Sequence, residues 1–535
     1  MIQKILSYQS KTLTGAALVL GFASLLSRVV GVVRDRILAH QFGAGIELDI
    51  YTAAFRIPDF IYNLLIVGAL SAGFIPLFLD IFTKDKKEAW KFTSRVLSLT
   101  FIFVGILSLL LYYFTPQLLA ILVPGFSAAE RVTTAELTRA MLLSPLLLGL
   151  SAVVSSVLQS MRSFFIYSLA PILYNVGIIF GAIFFVPHFG LMGLAYGVIM
   201  GAFLHLLIQI PVLYRAGFHY STKIPIVDKE IKKLSRSMIP RTLTLASVQV
   251  TTLFITSFAS ILGAGSIAVF NFANNIYSLP VGIIGVSFAI AVFPTLSQYA
   301  VAKDFDSFRR QLSLTIRQIF FFIVPITILF ILLRAQIVRV LLGTGQFNWE
   351  NTIATATTVG MFSISLFSQC LLALFNRTFY ALQNTKTPLY IALISMLITA
   401  ILSFYFKNIY AVAGLALGIS LGSIFQVALL WIALKKKLGT IDEKNILTSI
   451  FKISLACIGL GLVTQSLKYP ISLMVNMDTF WGIFLQGLLA GLAGLLVYGL
   501  CCYFLKLTEM QLLCQSLHKK WLKLRNIPLD ENSLK

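Results

Sequence analysis

Long apolar runs separated by short polar gaps make up almost all of this chain. A hydrocarbon layer is crossed by about 20 apolar residues in a helix, and fourteen runs reach that length. They lie near 15–39, 48–82, 93–123, 135–160, 164–187, 190–214, 238–262, 266–299, 312–342, 352–382, 386–406, 409–434, 446–468 and 479–506. Most are apolar on every face instead of carrying one stripe, the pattern of a helix that meets lipid or protein all round. Backbone polar groups in lipid need internal partners, so runs of this length read as helices. The pattern predicts an all-α integral membrane protein of about fourteen transmembrane helices. Several runs exceed the minimum, which predicts tilting or kinking, with Pro58, Pro76, Pro280 and Pro294 marking breaks.

Composition agrees: 58% of the 535 residues are hydrophobic and 12% charged, with mean hydropathy +0.89. Soluble domains carry about 25% charged residues. The formal charge of +22 does not point to nucleic acid, because no basic stripe with interleaved aromatics accompanies it. Instead, Lys and Arg fill alternate gaps. One set holds Lys84, Lys86, Lys87 and Lys91, then Arg215, Lys223, Lys229, Lys232, Lys233 and Arg236, then Lys303, Arg309 and Arg310, then Lys435, Lys436, Lys437 and Lys444. The tail adds Lys519, Lys520, Lys523 and Arg525, while the other set has little beyond Arg131, Lys407 and Lys468. By the positive-inside rule both termini are cytoplasmic, and the basic gaps meet anionic membrane lipid. Lys4 and Lys11 precede the first run without a cleavage site, so that run reads as a retained helix.

Other chemistry is sparse. The five cysteines have no CxxC spacing and read as buried structural thiols. The scattered histidines predict no metal site. No GxxxxGK[ST] loop supports an ATP-driven machine. The 20 acidic residues are too thinly spread for a glycosyltransferase centre.

The chain also repeats itself. Phe42-Gly43-Ala44-Gly45 returns as Leu262-Gly263-Ala264-Gly265, Ile75-Pro76 as Phe293-Pro294, Leu158-Gln159 as Leu382-Gln383, and Gly193-Leu194-Ala195-Tyr196-Gly197 as Gly414-Leu415-Ala416-Leu417-Gly418. All four pairs keep one order and lie about 220 residues apart. Six helices per repeat give two halves of the same orientation, a parallel repeat with a substrate cavity expected between them. The predicted organisation is a first six-helix lobe at 1–217, a second at 218–437, two additional helices at 438–507 and an amphipathic cytoplasmic tail at 508–535.

One apolar run is out of character. SLLSRVVGVVRDRILAHQFGAG places Arg28, Arg34, Asp35 and Arg36 in or beside the first helix. Arg28 and Asp35 are seven residues apart and share a helix face, whereas Arg34 points about a third of a turn away. Arg36 suits a helix end at the interface, but Arg28 is flanked by Leu25, Leu26, Val29 and Val30. A guanidinium there needs a water-filled cavity, and its planar fork suits a phosphate or carboxylate.

The run Ser27-Arg28-Val29-Val30-Gly31-Val32-Val33-Arg34-Asp35, followed by Phe42-Gly43-Ala44-Gly45 and Asp49, resembles the signature of the MurJ lipid II flippase family. That family belongs to the multidrug/oligosaccharidyl-lipid/polysaccharide exporter superfamily. Ala54-Phe55-Arg56-Ile57-Pro58, Gly68-Ala69-Leu70-Ser71, Phe74-Ile75-Pro76 and the segment from Phe379 to Pro388, FYALQNTKTP, extend the similarity along the chain. The resemblance implies transport of undecaprenyl-diphosphate carrying the peptidoglycan disaccharide-pentapeptide from the inner to the outer leaflet of a bacterial cytoplasmic membrane. It also implies a transporter and not an enzyme, and no cofactor is expected. Because moving charge across the membrane potential is worth about 2.3 kcal/mol per charge per 100 mV, coupling to that potential or to a monovalent ion is expected. It matches the family's first-helix arginines to Arg28 and Arg34 and its second-helix acid to Asp49; Asp35 and Arg56 join them as headgroup candidates. Where the family carries arginines, this chain has Tyr62-Asn63 and Asn274-Asn275. Arg56, Arg241 or Arg377 supply replacement charge, and Asp59 stands where the family often has Asn. A drug/cation antiporter or a polysaccharide-lipid flippase of the same superfamily is the alternative, since only the SRVVGVVRD and FYALQNTKTP motifs separate these. The chain is expected to act as a monomer.

The charge asymmetry makes a topological prediction. Reporter fusions near Lys86, Lys232 and Lys436 give cytoplasmic signals, and fusions at Gly45 and Asn348 give external ones. A cytoplasmic signal at Asn348 overturns the helix count.

Overall fold

The computed structural model describes residues 13–63, 70–221 and 229–515, with the side chains of 13–20, 70–72, 229, 231–233 and 235–245 also outside the description. The Gly68-Ala69 part of one motif, the Arg241 side chain and the tail beyond residue 515 therefore lie outside the described residues. Among the described residues every regular element is helical. In chain order they are α1 (Leu13–Phe42), α2 (Ile46–Ala54), α3 (Arg56–Ile61), α4 (Leu70–Lys84), α5 (Lys86–Leu122), α6 (Ala128–Met141), α7 (Leu143–Ser160), α8 (Phe164–Phe180), α9 (Val186–Phe189), α10 (Met192–Leu207) and α11 (Ile210–Arg215). Then come α12 (Lys229–Ser260), α13 (Ser266–Pro280), α14 (Ser287–Val301), α15 (Phe305–Leu332), α16 (Arg334–Leu342), α17 (Trp349–Ser363), α18 (Leu366–Ala381), α19 (Lys386–Leu438), α20 (Glu443–Met474) and α21 (Phe480–Phe504). Gly181–Phe185 and Val281–Val286 are π-helical turns.

Nine helical stretches among the described residues are long and apolar enough to cross a membrane, and α17 with α18 form a further candidate bent by 48°. The 53-residue α19 leaves helical geometry at Tyr410 and Ala411, between the runs predicted at 386–406 and 409–434. The runs near 15–39, 48–82 and 238–262 include residues whose backbone or side chains are outside the description, and none is among the nine. Proline decides where runs break. Pro58 offers no N–H to the Ala54 carbonyl, and α2 ends at Ala54. Pro145 does the same to Met141, so the run predicted at 135–160 divides into α6 and α7, a break the sequence reading did not place. Pro76 and Pro294, expected to break their runs, stay inside α4 and α14.

The chain packs as two compact units: residues 1–272, 341–352 and 396–415 form one, and 273–340, 353–395 and 416–535 the other. In the first, Phe74, Phe78, Phe92 and Trp90 stack into a buried aromatic core with Val153, Val157 and Phe218. In the second, Ile453, Leu460, Tyr498 and Cys502 bury against Phe321 and Leu507. There the helical residues 508–515 are fastened by a Glu509–Arg317 ion pair of 3.3 Å. Cys370, Cys457 and Cys502 are buried, Cys501 is half-buried and Cys514 exposed.

The repeat is written in the backbone. Eight of the residues with positive φ form four pairs: Gly43 with Gly263, Arg162 with Gln383, Gly190 with Ala411, and Gly217 with Gly439. Arg162 and Gln383 occupy the same turn, closed by Ser163 N–H to Leu158 O and by Asn384 N–H to Phe379 O. Structurally, then, Leu158 corresponds to Phe379, and the Leu158-Gln159/Leu382-Gln383 match is three residues out of register. Gly193 lies against the Phe185 backbone as Gly414 lies against that of Phe406, contacts too close for any Cβ. Each repeat also has a buried polar seam between corresponding helices. Ser151 and Ser155 meet His205 and Gln209 in one, and Ser368 and Ser365 meet Ser423 and Ser420 in the other.

One member of a pair is chemically mismatched. Gly190 has φ 56°, ψ −145°, and Ala411 takes φ 48°, ψ −130°, a region open essentially to glycine alone. Ala411→Gly should therefore stabilise the protein by about 1 kcal/mol, seen as a higher unfolding midpoint in detergent. Gly190→Ala should lower it by a comparable amount. Equal or lower stability for Ala411→Gly would show that the turn carries no strain.

Candidate functional site

The charged residues of α1 meet their partners inside the first unit. The Arg34 guanidinium folds onto its neighbour: Nε donates to Asp35 Oδ1 at 3.0 Å and Nη2 to the same oxygen at 2.7 Å. Nη1 donates to Asn175 Oδ1 on α8 at 2.9 Å. Adjacent residues on a helix do not face each other, so the bond depends on the reach of the long arginine stem. Asp35 is buried, and a buried carboxylate next to an arginine at membrane depth is stable only as a pair.

A second matched set lies close by on α3. Arg56 and Asp59 are within electrostatic reach of each other, and Asp59 also feels Arg34. Tyr62 is within electrostatic reach of Asp59 and Tyr167, and Tyr174 of Asp59, Tyr51, Tyr62 and Arg34. Asn63 turns inward on its own helix, donating to Asp59 O at 3.0 Å. Two guanidinium groups and two carboxylates thus lie within electrostatic reach of one another and of several tyrosines. Within this balanced group Arg56 Nε is buried and has no hydrogen-bond partner among the described residues. An unmatched donor of this kind is costly unless a ligand or water meets it.

Arg28 stands apart. It is half-buried, two turns before Arg34 and so about 9 Å along the axis. Among the described residues it makes no hydrogen bond or ion pair. Its charge is thus unmatched among the described residues, in contrast to that of Arg34.

Asp49 is employed differently. It is fully buried, and its carboxylate accepts from Gly265 N–H and Ala268 N–H, both at 2.7 Å. These are N-terminal donors of α13, left without intrahelical partners. Asp49 is therefore a helix cap supplied from another part of the chain. The two repeated loops meet here, with Gly265 against the Ala44 carbonyl at a spacing no Cβ could share. The same end of α1 is fastened by residues 341–346: Arg36 Nη1 donates to Leu341 O at 3.3 Å, His40 Nδ1 meets Thr344 Oγ1 at 3.0 Å, and Gln346 N–H donates to His40 O at 3.0 Å.

The structure thus brings together Arg34, Asp35, Arg56, Asp59 and Tyr62, and commits Asp49 to the α13 cap. Asn274, Asn275 and Arg377, all half-buried, belong to the second unit. Tyr51, Tyr167, Tyr174 and Asn175 were not anticipated. A lone asparagine in PILYNVGII was the available signal for Asn175.

Comparison with known proteins places this arrangement. The family model described as Lipid II flippase MurJ matches residues 38–483. The chain is 30% identical over 453 residues to a protein of Buchnera aphidicola subsp. Schizaphis graminum named probable lipid II flippase MurJ, covering 82% of this chain and 86% of that one. It is 27% identical to the probable lipid II flippase MurJ of Haemophilus influenzae, covering 92% and 100%. Among solved structures, a lipid II flippase MurJ in an inward closed conformation superposes with a TM-score of 0.77 at 27% identity, covering 91% of this chain and 99% of that one. An inward-facing multidrug resistance MATE family transporter shares the fold, with a TM-score of 0.67 at 14% identity and coverage of 80% and 99%.

The Asp49 cap generates a prediction. Asp49→Ala strands two buried N–H donors and should destabilise the protein by about 1–3 kcal/mol. Asp49→Asn, which keeps one acceptor, should cost less. Thermal unfolding in detergent measures both, and wild-type stability for Asp49→Ala would contradict the cap.

Proposed function

The chain belongs to the lipid II flippase MurJ family, and from that premise we propose how its own residues carry lipid II across the bacterial cytoplasmic membrane. The protein is a multi-pass membrane transporter and not an enzyme. The observation that carries the reading is the contrast within one helix: Arg34 is clamped by Asp35 and Asn175, whereas Arg28 is unmatched among the described residues.

A diphosphate bearing a sugar-peptide head cannot enter hydrocarbon unaided, because burying unpaired charge costs several kcal/mol at least. Arg28 takes the diphosphate with its bidentate fork. The orphaned Arg56 Nε donates a further hydrogen bond. Arg34, held in place by Asp35 and Asn175, positions the site, and Asp59 keeps its net charge low when it is empty. Tyr62 and Asn63, which follow α3, add polar contacts to the head. An empty site whose only excess charge is that of Arg28 lets the transporter return, and a loaded one gains the pairing of Arg28.

The site opens to one leaflet and then the other, moving the head outward, with both termini cytoplasmic and a single chain sufficient. The Asp49 cap and the loops it joins close the outer side and part for release. Carrying negative charge outward follows the membrane potential, worth about 2.3 kcal/mol per charge per 100 mV, so potential, or a monovalent-ion gradient acting with it, biases the cycle. No cofactor takes part.

Arg28→Ala should lower lipid II flipping in reconstituted vesicles by about ten- to a hundredfold, the worth of a hydrogen-bonded charge pair. Arg28→Lys should recover only part, since an ammonium lacks the fork. Full activity of a folded, inserted Arg28→Ala protein would reduce Arg28 to a structural residue.

A further inference from the structure

Arg334 opens α16 and Lys468 lies near the end of α20, both in the second unit. Arg334 Nη1 donates to Ile331 O at 2.7 Å, and Lys468 Nζ donates to Leu332 O at 3.1 Å. These are the last carbonyls of α15, which lack helical partners and carry partial negative charge. Capping a helix end uses one donor of each cation, while arginine has five and lysine three. The two positive charges remain within electrostatic reach of each other, and neither pairs with a carboxylate among the described residues.

Three further observations define the place. Gln486 Nε2 donates to Lys468 O at 2.8 Å and Gln336 Nε2 to Gln486 Oε1 at 2.9 Å, which ties α16, α20 and α21 together beside the two cations. Tyr469 and Trp481, flanking the turn between α20 and α21, are 72% and 67% exposed. Exposed Trp and Tyr beside Lys and Arg mark the level of lipid headgroups. The orientation proposed above turns this end outward, where topology signals are not placed, so the positive-inside rule gives the pair no purpose.

We propose that Arg334 and Lys468 form a binding site for the phosphodiester of an anionic phospholipid of the phosphatidylglycerol class in the outer leaflet. The phosphate sits between the two cations and relieves their repulsion. The acyl chains lie along the apolar stretches of α20 and α21 on the membrane side of the cations, where Leu462, Leu489 and Leu496 are exposed. The lipid steadies the junction of α15, α16 and the two additional helices. Only the assignment to the outer leaflet rests on the proposed orientation; the binding itself does not.

The test uses the full chain purified in zwitterionic detergent, with phosphatidylglycerol and phosphatidylcholine as probes and bound lipid read by native mass spectrometry. The wild type should retain phosphatidylglycerol over phosphatidylcholine. Arg334→Gln and Lys468→Gln should each weaken that binding about fivefold, and the double variant by about the product. Lys468→Arg should preserve it, and Lys436→Gln, an equal charge change at another exposed site, should leave it untouched. Because the same variants lose a helix cap, unfolding is followed with and without phosphatidylglycerol, and the lipid-dependent rise in midpoint must disappear in the double variant. Undiminished phosphatidylglycerol binding by the double variant would overturn the site. Displacement of the lipid by millimolar inorganic phosphate would overturn a phospholipid as its occupant. No transport is measured, so the outcome is independent of the flipping assay.

Discussion

An ionised side chain inside an apolar protein in an apolar solvent must meet its opposite, because desolvation leaves several kcal/mol to recover. In the first unit Arg34 meets it by pairing with Asp35, and Arg56 and Asp59 lie within electrostatic reach of each other a few residues away. It is left open at Arg28. A site so nearly balanced tolerates being empty, and the Arg28 guanidinium, unpaired among the described residues, gives an anionic head something to gain on entry. The tyrosines that surround the pairs supply hydroxyls without adding charge.

The repeat explains how so long a chain keeps such a site in register. Corresponding left-handed turns at Gly43 and Gly263, Gly190 and Ala411, and Gly217 and Gly439 fix where each helix of a repeat stops. Corresponding close contacts at Gly193 and Gly414 fix how the last helices of each repeat approach. The copies have diverged in the chemistry they carry. Where one repeat holds a His205–Ser151–Gln209 network, the other holds serines alone. The arginines of α1 have no equivalents in α12 within the described side chains.

Hydropathy made the membrane class and most helices legible, since runs of about 20 apolar residues have no other stable use. The division of α19 was legible too, because polar residues around Lys407 and Asn408 separate its halves. Breaks that depend on a lost N–H, such as the one Pro145 imposes on Met141, were readable in principle but were passed over in favour of other prolines. The roles of charged residues were less accessible. Asp49 was read as a headgroup ligand from its motif, and its partners Gly265 and Ala268 lie too far along the chain for any local rule to pair them. Arg34 was assigned by helix geometry to a face apart from Asp35, and only the flexible arginine stem brings the two together.

The central claim is that these residues serve lipid II, and it is tested most directly in cells depleted of their own lipid II flippase. The measurement is the accessibility of lipid II at the outer surface after this chain is expressed. The account predicts that lipid II becomes accessible and growth resumes, with reduced efficiency because Tyr62 and Asn275 bring no positive charge to the head. Protein that is expressed and inserted, and that protects cells from drugs while lipid II stays inaccessible, would contradict it.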